Sequence, residues 1–257
     1  MINNLNPILL DLGPLTIRWY GLFLGLGVLI ASLIAIKLFK KENIDEDTTL
    51  SLIVWLFIGG LVGARLGHIV FYELSYYLAN PGEIIFINHG GLSSHGLTLG
   101  LLLSFFVFVK YKKVDWKKIA DIGVIPIPLL AAFIRLGNFF NSEIVGRATD
   151  LPWGILYPLY EDSPIPRHPS QIYESLTALI IFIVLILIYK KIKNKAPLFI
   201  FHIFLLLYFS TRFLIEFLKE WQTLSPEYIL TMGQWLSLPF IIWSVLWLIK
   251  NKIKKSH

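Results

Sequence analysis

The stretch IRWYGLFLGLGVLIASLIAIKLF, residues 17–39, contains only Arg18 and Lys37 as charged residues. A helix needs about 20 mainly apolar residues to cross the hydrocarbon core of a bilayer, and this stretch is long enough. The apolar run continues to Phe39 without a small-residue cleavage site. We therefore interpret it as a retained transmembrane helix rather than a signal peptide that is removed.

Similar apolar runs recur along the whole 257-residue chain, at 17–39, 48–72, 91–109, 118–140, 172–189, 198–217 and 233–249. The composition agrees with this pattern, because 56% of the residues are hydrophobic and only 16% are charged, against roughly 25% in an ordinary soluble domain. The sequence predicts an all-α integral membrane protein with seven transmembrane helices in a single membrane domain, residues 1–257. The proline-rich segment 141–170 is long enough to predict a structured loop between the fourth and fifth helices.

Lysine and arginine alternate between the segments that connect these runs. The first, third and fifth loops and the C-terminal tail carry 3, 5, 4 and 4 basic residues, against 0, 0, 2 and 1 in the other segments. By the positive-inside rule, the N-terminus faces out, the C-terminus is cytoplasmic, and the segment 141–170 is an outer loop. The net charge of +6 is explained by these cytoplasmic lysines, so it does not indicate nucleic-acid binding.

Four arginines lie within the predicted runs, where each costs about 2.5 to 3.5 kcal/mol at a helix centre. They are Arg18, Arg65, Arg135 and Arg212. Such residues usually face the bundle interior or a wet cavity; snorkelling to the interface is the alternative, above all for Arg18. The helix directions place all four near the outer face, together with Tyr20 and His95. A basic cluster of this kind suits an anionic lipid headgroup or a phosphate ester.

Two motifs surround the embedded arginines. In IRLGNFFNSEIVG, residues 134–146, the three-residue spacing puts Arg135 and Asn138 on one helix face, while Glu143 either contacts a substrate or only ends the helix. In YFSTRFLIEF, residues 208–217, Tyr208, Arg212 and Glu216 share a face over two turns. We expect Glu216 to neutralise and orient Arg212, with a purely structural ion pair as the alternative.

The glycine spacing of GGLVGARLG, residues 59–67, and HGGLSSHGLTLG, residues 89–100, predicts close helix packing. Within the second motif, His95 is either a packing residue or a general base. In RHPSQIYES, residues 167–175, Glu174 has an ordinary explanation as a charge near a helix N-terminus. The remaining histidines are weaker candidates: His68, His89, His168, His202 and His257.

The chain lacks cysteine, which excludes disulfides, thiolate metal sites and an enzyme-borne cysteine nucleophile. It also lacks HExxH and any acidic metal-binding pattern, so we predict no metal site and no cofactor.

These motifs, in this order, resemble the bacterial prolipoprotein diacylglyceryl transferases. The resemblance rests on RLGNFFNSEIVG together with RWYG at 18–21, GGLSSHG at 90–96, RHPSQIYE at 167–174 and the Tyr, Arg and Glu of 208–216. It covers nearly the whole chain. Two positions depart from the usual pattern, namely Leu97 after Ser-His-Gly and His68 where an aromatic residue is common.

The resemblance implies transfer of the diacylglyceryl group from phosphatidylglycerol to the lipobox cysteine of a prolipoprotein, forming a thioether and releasing glycerol phosphate in the bacterial cytoplasmic membrane. The nucleophile then belongs to the substrate, and its thiol must lose a proton. The resemblance assigns catalysis to His95, as base, and to Arg135 and Arg212, on the phosphate. The other residues implied in substrate binding are Tyr20, Asn138, Glu143, Gly146, Tyr208 and Glu216.

Two other functions stay open at this point. In a phospholipid-binding transporter, the same arginines would hold a headgroup in transit without chemistry; internal repeats and broken helices at mid-membrane would favour it. An intramembrane hydrolase would need a serine, aspartate or metal constellation in the cluster, and only Ser93 and Ser94 are available.

Overall fold

The computed structural model describes residues 1–13, 16–87, 90–192, 196–221 and 228–253; His89 and His257 lie outside them. A short antiparallel hairpin, β1 (Ile8–Asp11) and β2 (Thr16–Arg18), precedes the helices. The helices are α1 (Trp19–Lys41), α2 (Glu46–Phe71), α3 (Leu74–Ala79), α4 (Ser94–Lys112), α5 (Trp116–Gly123), α6 (Ile127–Phe140), α7 (Ser170–Lys191), α8 (Phe199–Glu216) and α9 (Met232–Ile253).

Six of the described helices are long and apolar enough to cross a membrane: α1, α2, α4, α7, α8 and α9. The predicted fourth run, 118–140, is broken into α5 and α6, which are bent by 42° and would make a seventh span if counted together. The break falls at Pro126, which precedes α6, and Pro128, which lies in its first turn. Proline lacks a backbone N–H and clashes with the preceding turn, so a straight helix cannot pass through this point.

The prediction that Arg18 lies within the first transmembrane run is wrong. Arg18 is the last residue of β2 and is exposed, because its backbone pairs with Ile8 in the hairpin and α1 begins only at Trp19. It therefore does not bear the cost of an arginine inside an apolar helix.

The chain forms two compact units. One contains residues 1–35 and 120–257, and the other contains residues 36–119. In the second unit α2 packs on α4 as the glycine spacing predicts. A Cβ added at Gly63 would lie 2.5 Å from the Gly96 carbonyl oxygen, and one added at Gly67 would lie 2.5 Å from the Gly96 Cα. Only glycine permits this backbone approach.

In the first unit α6, α7, α8 and α9 pack successively. The Ser175 hydroxyl on α7 donates to the Ala132 carbonyl on α6 at 3.1 Å. The Asp121 carboxylate of α5 accepts the backbone N–H groups of Leu198 and Phe201, at 2.6 and 2.8 Å, at the start of α8. The two Asp121 bonds satisfy N–H groups at the start of α8 that would otherwise need water.

Candidate active site

The first unit contains a chain of polar contacts that begins at the C-terminal end of α6. The Arg135 Nη1 donates to the Asn138 Oδ1 at 3.1 Å, as the three-residue spacing predicts. The Asn138 Nδ2 donates in turn to the Glu143 Oε2 at 3.1 Å. Asn138 is 4% exposed, so its amide links a helix-borne arginine to a carboxylate in the following turn.

The turn after α6 is held from both sides. Gln171 and Ser170, at the start of α7, donate to the carbonyls of Glu143 and Ile144 at 2.7 Å each. From the N-terminal segment, the Asn3 side-chain amide donates to the Phe139 carbonyl at 2.8 Å. The position of Glu143 is therefore set by segments that are far away in the sequence.

Gly146 is required for close packing beyond this turn. A Cβ at this position would lie 2.5 Å from both the Cβ and the carbonyl oxygen of His168, and 2.7 Å from the Leu218 carbonyl oxygen. The Gly146 N–H donates to that His168 carbonyl at 3.0 Å, and Gly146 also bridges to Lys219. Gly146 thus joins the loop to the starting segment of α7 and to the segment after α8.

A second polar chain runs from Arg135 into α7 and beyond α8. The Arg135 Nε lies 2.8 Å from one oxygen of the Glu174 carboxylate, and the Lys219 Nζ lies 2.7 Å from the other. The Lys219 Nζ is also 3.6 Å from the Glu216 Oε2. All four side chains are at least four-fifths buried, so their charges are poorly screened by solvent.

Arg135 and Arg212 line one narrow recess between α6, α7 and α8. Its polar lining also includes Glu174, Thr177, Tyr208 and Thr211, and its apolar wall is formed by alanine and isoleucine side chains. Among the described residues, neither the Arg212 guanidinium nor the Tyr208 hydroxyl has an ion-pair or hydrogen-bond partner. The recess therefore offers the Arg212 guanidinium, the Tyr208 hydroxyl and the Arg135 guanidinium that also contacts Glu174, a set that suits an anionic group.

The expectation that Glu216 pairs with Arg212 is wrong for the structure described. Glu216 instead accepts a hydrogen bond from the Thr231 hydroxyl at 3.1 Å and lies near Lys219. A Cβ at Gly233 would come within 2.6 Å of the same carboxylate. Contacts from beyond α8 hold the Glu216 carboxylate, so the shared helix face does not determine its partner.

Tyr20 lies at the start of α1 and packs against α6. A Cβ at Gly137 would lie 2.9 Å from a Tyr20 ring carbon, so the glycine makes room for the ring. The Tyr20 phenol is also close enough to interact electrostatically with Glu143 and Arg135. The structure thus brings together eight of the nine residues implicated by sequence: Tyr20, Arg135, Asn138, Glu143, Gly146, Tyr208, Arg212 and Glu216 lie in one unit.

His95 lies in the other unit, at the second residue of α4, where it is exposed. Ser93 caps this helix by accepting the Gly96 N–H at 3.3 Å, and its own N–H donates to the Ala64 carbonyl at 2.9 Å. The cap fixes the first turn of α4. Within the described residues, the His95 ring has no hydrogen-bond or ion-pair partner, so both ring nitrogens are available to a substrate.

Arg65, also in this second unit, does not behave as part of a free basic cluster. Its guanidinium donates to carbonyls of the segment after α2, those of Glu83, Ile84, Phe86, Gly90 and Gly91. It also lies 4.9 Å from the Tyr77 ring centre. The five carbonyls occupy the guanidinium, so the expectation that Arg65 helps to bind an anion is corrected to a structural role.

The loop between α6 and α7 is ordered around Arg167. Two Arg167 nitrogens bind both oxygens of the Glu161 carboxylate, at 2.9 and 2.8 Å, and a third nitrogen lies 2.7 Å from Glu220. The Arg167 hydrogen bonds hold the pKa of the Glu161 carboxyl below its usual value. Next to Arg167, burial lowers the pKa of the His168 ring, whose Nδ1 lies 3.3 Å from the Tyr173 hydroxyl.

The sequence reasoning missed the roles of Glu174 and Lys219. Glu174 had an adequate explanation at the start of α7, and Lys219 was only one basic residue in a connecting segment. The signal that could have found Glu174 is its place in RHPSQIYE, one of the motifs on which the family resemblance rests. Among the described residues, no group of three or more histidines, aspartates and glutamates could hold a metal ion.

Comparison with known proteins identifies the relatives of this chain. A family model described as prolipoprotein diacylglyceryl transferase matches residues 7–250. The phosphatidylglycerol–prolipoprotein diacylglyceryl transferase of Tolumonas auensis is 38% identical over 258 residues, covering 99% of this chain and 98% of that protein. The proteins of the same name from Chloroherpeton thalassium and Bacteroides fragilis are 40% and 37% identical, covering 99% and 98% of this chain and 95% and 96% of their own lengths.

Proposed function

Because the chain belongs to the prolipoprotein diacylglyceryl transferase family, we propose that it transfers the diacylglyceryl group of phosphatidylglycerol to the lipobox cysteine of a prolipoprotein. The cysteine sulfur bonds to the terminal glyceryl carbon while the bond from that carbon to the phosphate oxygen breaks. The phosphate keeps the bonding electrons and leaves as glycerol phosphate. The product is a thioether, and the thiol proton passes to a base.

The observation that carries this proposal is the recess lined by Arg135, Arg212 and Tyr208. Negative charge grows on the phosphate oxygen as the carbon–oxygen bond breaks. Cations already held in an apolar recess stabilise that charge without reorganising, which is how electrostatic catalysis lowers a barrier. The Arg212 guanidinium, which has no partner among the described residues, and the Tyr208 hydroxyl suit the phosphate, and Asn138 and Glu143 orient Arg135.

His95 is the proposed base. A free thiol has a pKa of about 8.5, so a base at neutral pH raises the fraction of reactive thiolate. An imidazole without a partner can accept this proton. Tyr20, Gly146 and Glu216 complete the proposed substrate-binding set: Tyr20 and Gly146 shape the packing around the recess, and Glu216 holds Lys219.

The proposed setting is the bacterial cytoplasmic membrane, with α5 and α6 together forming the fourth of seven spans. The N-terminus faces out, the C-terminus is cytoplasmic, and the active site opens towards the outer face with residues 141–170 as the outer loop. The charge alternation of the connecting segments supports this orientation. Both proposed substrates are amphipathic and reach such a site from the bilayer.

The direct test combines purified protein, phosphatidylglycerol vesicles and a lipobox peptide. We expect the peptide to gain one diacylglyceryl group, detected by mass spectrometry, with an equal amount of released glycerol phosphate. A peptide with serine in place of the cysteine should remain unmodified. Phosphatidylglycerol binding or translocation without any modified peptide would instead identify the transporter alternative and refute the transferase proposal.

A test of His95 separates base catalysis from packing. His95→Gln keeps a polar side chain of similar reach but cannot accept the proton. We expect kcat to fall by about 100-fold, within the range for loss of a general base, and the remaining rate to rise with pH as more peptide thiol ionises. An unchanged kcat at neutral pH would remove His95 from the mechanism.

A further inference from the structure

Lys219 is an unusual residue at its position. It follows α8 directly, and its side chain is only 6% exposed. A buried ammonium is costly unless it is paired, and the Lys219 Nζ lies 2.7 Å from Glu174 and 3.6 Å from Glu216. Glu174 is therefore shared, since its other carboxylate oxygen lies 2.8 Å from the Arg135 Nε. One carboxylate from α7 thus joins cations from α6 and from the segment after α8.

These contacts determine which nitrogens of Arg135 remain available. The Nε lies against Glu174, and the Nη1 donates to Asn138. The Nη2 makes no hydrogen bond to any of the described residues. Because the guanidinium is planar and rigid, two fixed nitrogens also fix the third, so Glu174 and Asn138 together select the orientation in which Arg135 lines the recess.

The excess of positive charge around the recess depends on Lys219. The buried or half-buried groups supply three positive charges, from Arg135, Arg212 and Lys219, and two negative charges, from Glu174 and Glu216. The excess of one positive charge favours an anion. Without Lys219 the Glu174 carboxylate would be balanced by Arg135 alone, and this excess would disappear.

We propose that Glu174 and Lys219 form a positioning pair for Arg135, in which Glu174 orients the guanidinium and Lys219 offsets the Glu174 charge so that Arg135 still attracts the phosphate. Neither residue needs to touch the substrate. The inference rests on the proposed function, because it assigns the pair to phosphatidylglycerol binding in the same recess.

The experiment compares Lys219→Met, Lys219→Arg, Glu174→Gln and the double variant Glu174→Gln/Lys219→Met. In the transfer assay we expect Lys219→Met to raise the KM for phosphatidylglycerol about 10-fold, with a smaller change in kcat, because charge attraction acts on the bound lipid before reaction. Lys219→Arg should restore KM to within about threefold, since it keeps the charge. The double variant should have a lower KM than Lys219→Met, because removing the Glu174 charge restores the excess of one positive charge.

Lys118→Met is the matched control. Lys118 also pairs with a glutamate, lying 3.7 Å from Glu42, but it is half-exposed and belongs to the other unit. Its KM and kcat should be unchanged. Thermal unfolding and gel filtration should be measured for each variant, and a folded Glu174→Gln keeps the proposal testable if Lys219→Met fails to fold. Glu174→Gln should also raise KM, because the neutral amide holds Arg135 less strongly.

Several results would overturn the inference while leaving the proposed function intact. An unchanged KM in folded Lys219→Met or Glu174→Gln is one. A second such result is a KM for phosphatidylglycerol in the double variant that is as high as in Lys219→Met, together with a parallel fall in kcat and thermal stability. That pattern would indicate an ion pair with a purely structural role. If the wild type itself transfers nothing, the proposed function fails. Binding of phosphatidylglycerol vesicles then tests the pair, and equal binding by Lys219→Met would overturn it.

Discussion

Arg65 and Arg212 both interrupt apolar helices, yet the structure uses them in opposite ways. Arg65, 5% exposed on α2, donates to five backbone carbonyls of the segment that follows its helix. Arg212 on α8 lines a recess and has no partner among the described residues. Of the two, only Arg212 has donors left for a substrate.

This difference shows what decides the role of an arginine in an apolar helix. Non-helical backbone at membrane depth needs partners for its carbonyls, and a guanidinium with five N–H groups can supply several at once. Arg65 does this for the carbonyls of Glu83, Ile84, Phe86, Gly90 and Gly91. A functional assignment therefore depends on which donors remain free, a property of the folded chain that the position of the arginine in the sequence does not reveal.

The largest expected effect comes from removing the free guanidinium. Arg212→Met should lower the transfer rate by about 100- to 1,000-fold, the usual cost of losing one preorganised group that stabilises developing charge. Thermal stability should change little, because Arg212 has no described partner to lose. The measurement is kcat/KM together with the unfolding temperature in detergent. Near-normal activity of Arg212→Met would contradict the functional role of Arg212, because the reaction would then depend on Arg212 as little as we expect it to depend on Arg65.

The second prediction concerns Arg65, whose loss should lower stability rather than activity. Arg65→Met should destabilise the protein by about 3 kcal/mol, because buried carbonyls without partners cost about 1 to 3 kcal/mol each and some will find water. The folded fraction should keep its specific activity. Thermal unfolding and activity per folded molecule separate the two quantities. A stable but inactive Arg65→Met would place this arginine in the reaction and contradict the structural role.

A smaller effect tests the helix pair that carries Arg65. Gly63→Ala should destabilise the protein by about 2 kcal/mol, because its Cβ would press on the Gly96 carbonyl oxygen and the Gly100 Cα. Gly25→Ala on α1 is the control, since its Cβ meets nothing within 4 Å. Equal unfolding temperatures for the two variants would show that the α2–α4 contact tolerates a methyl group and is looser than described.

The sequence predicts those features that depend on local spacing. The glycine spacing predicted close helix packing, which is found between α2 and α4, and the separation of Arg135 and Asn138 predicted a shared helix face, on which the two side chains hydrogen-bond. The Arg212–Glu216 pair followed the same rule and is wrong, since Thr231 and Lys219 approach the carboxylate from outside the helix. Partners of that kind are fixed by tertiary packing.

The break between α5 and α6 shows the same limit for the fold. Hydropathy joined 118–140 into one run, because isoleucine and proline alternate without a polar residue at residues 124–129. Pro126 and Pro128 lie within that run, and each lacks the backbone N–H that a continuous helix would need there. In the sequence, Lys219 contributes only to the count of basic residues that predicts the membrane orientation of the chain. Its burial and its contact with Glu174 depend on residues that are more than forty positions apart.

The smallest predicted effect concerns a third arginine, Arg167, which extends the comparison to pH. The partners of Arg65 are carbonyls, which do not titrate. Those of Arg167 include the Glu161 carboxylate, whose pKa is lowered by the Arg167 hydrogen bonds and the Ile165 N–H.

Because the pKa of Glu161 is lowered in the folded state, its contact with Arg167 stabilises the loop at pH values above the unfolded pKa of about 4.5. This stabilisation is lost as the pH falls through the folded pKa. Hydrogen exchange of the Ile155 and Arg167 amides, which bond to each other's carbonyls, should accelerate relative to the Phe86 and Gly90 amides as the pH falls below about 4.5, after correction for intrinsic exchange. Glu161→Gln should remove most of this acid sensitivity. Equal acid sensitivity in the wild type and Glu161→Gln would show that another group titrates instead, and the Glu220 carboxylate, 2.7 Å from Arg167, would be that group.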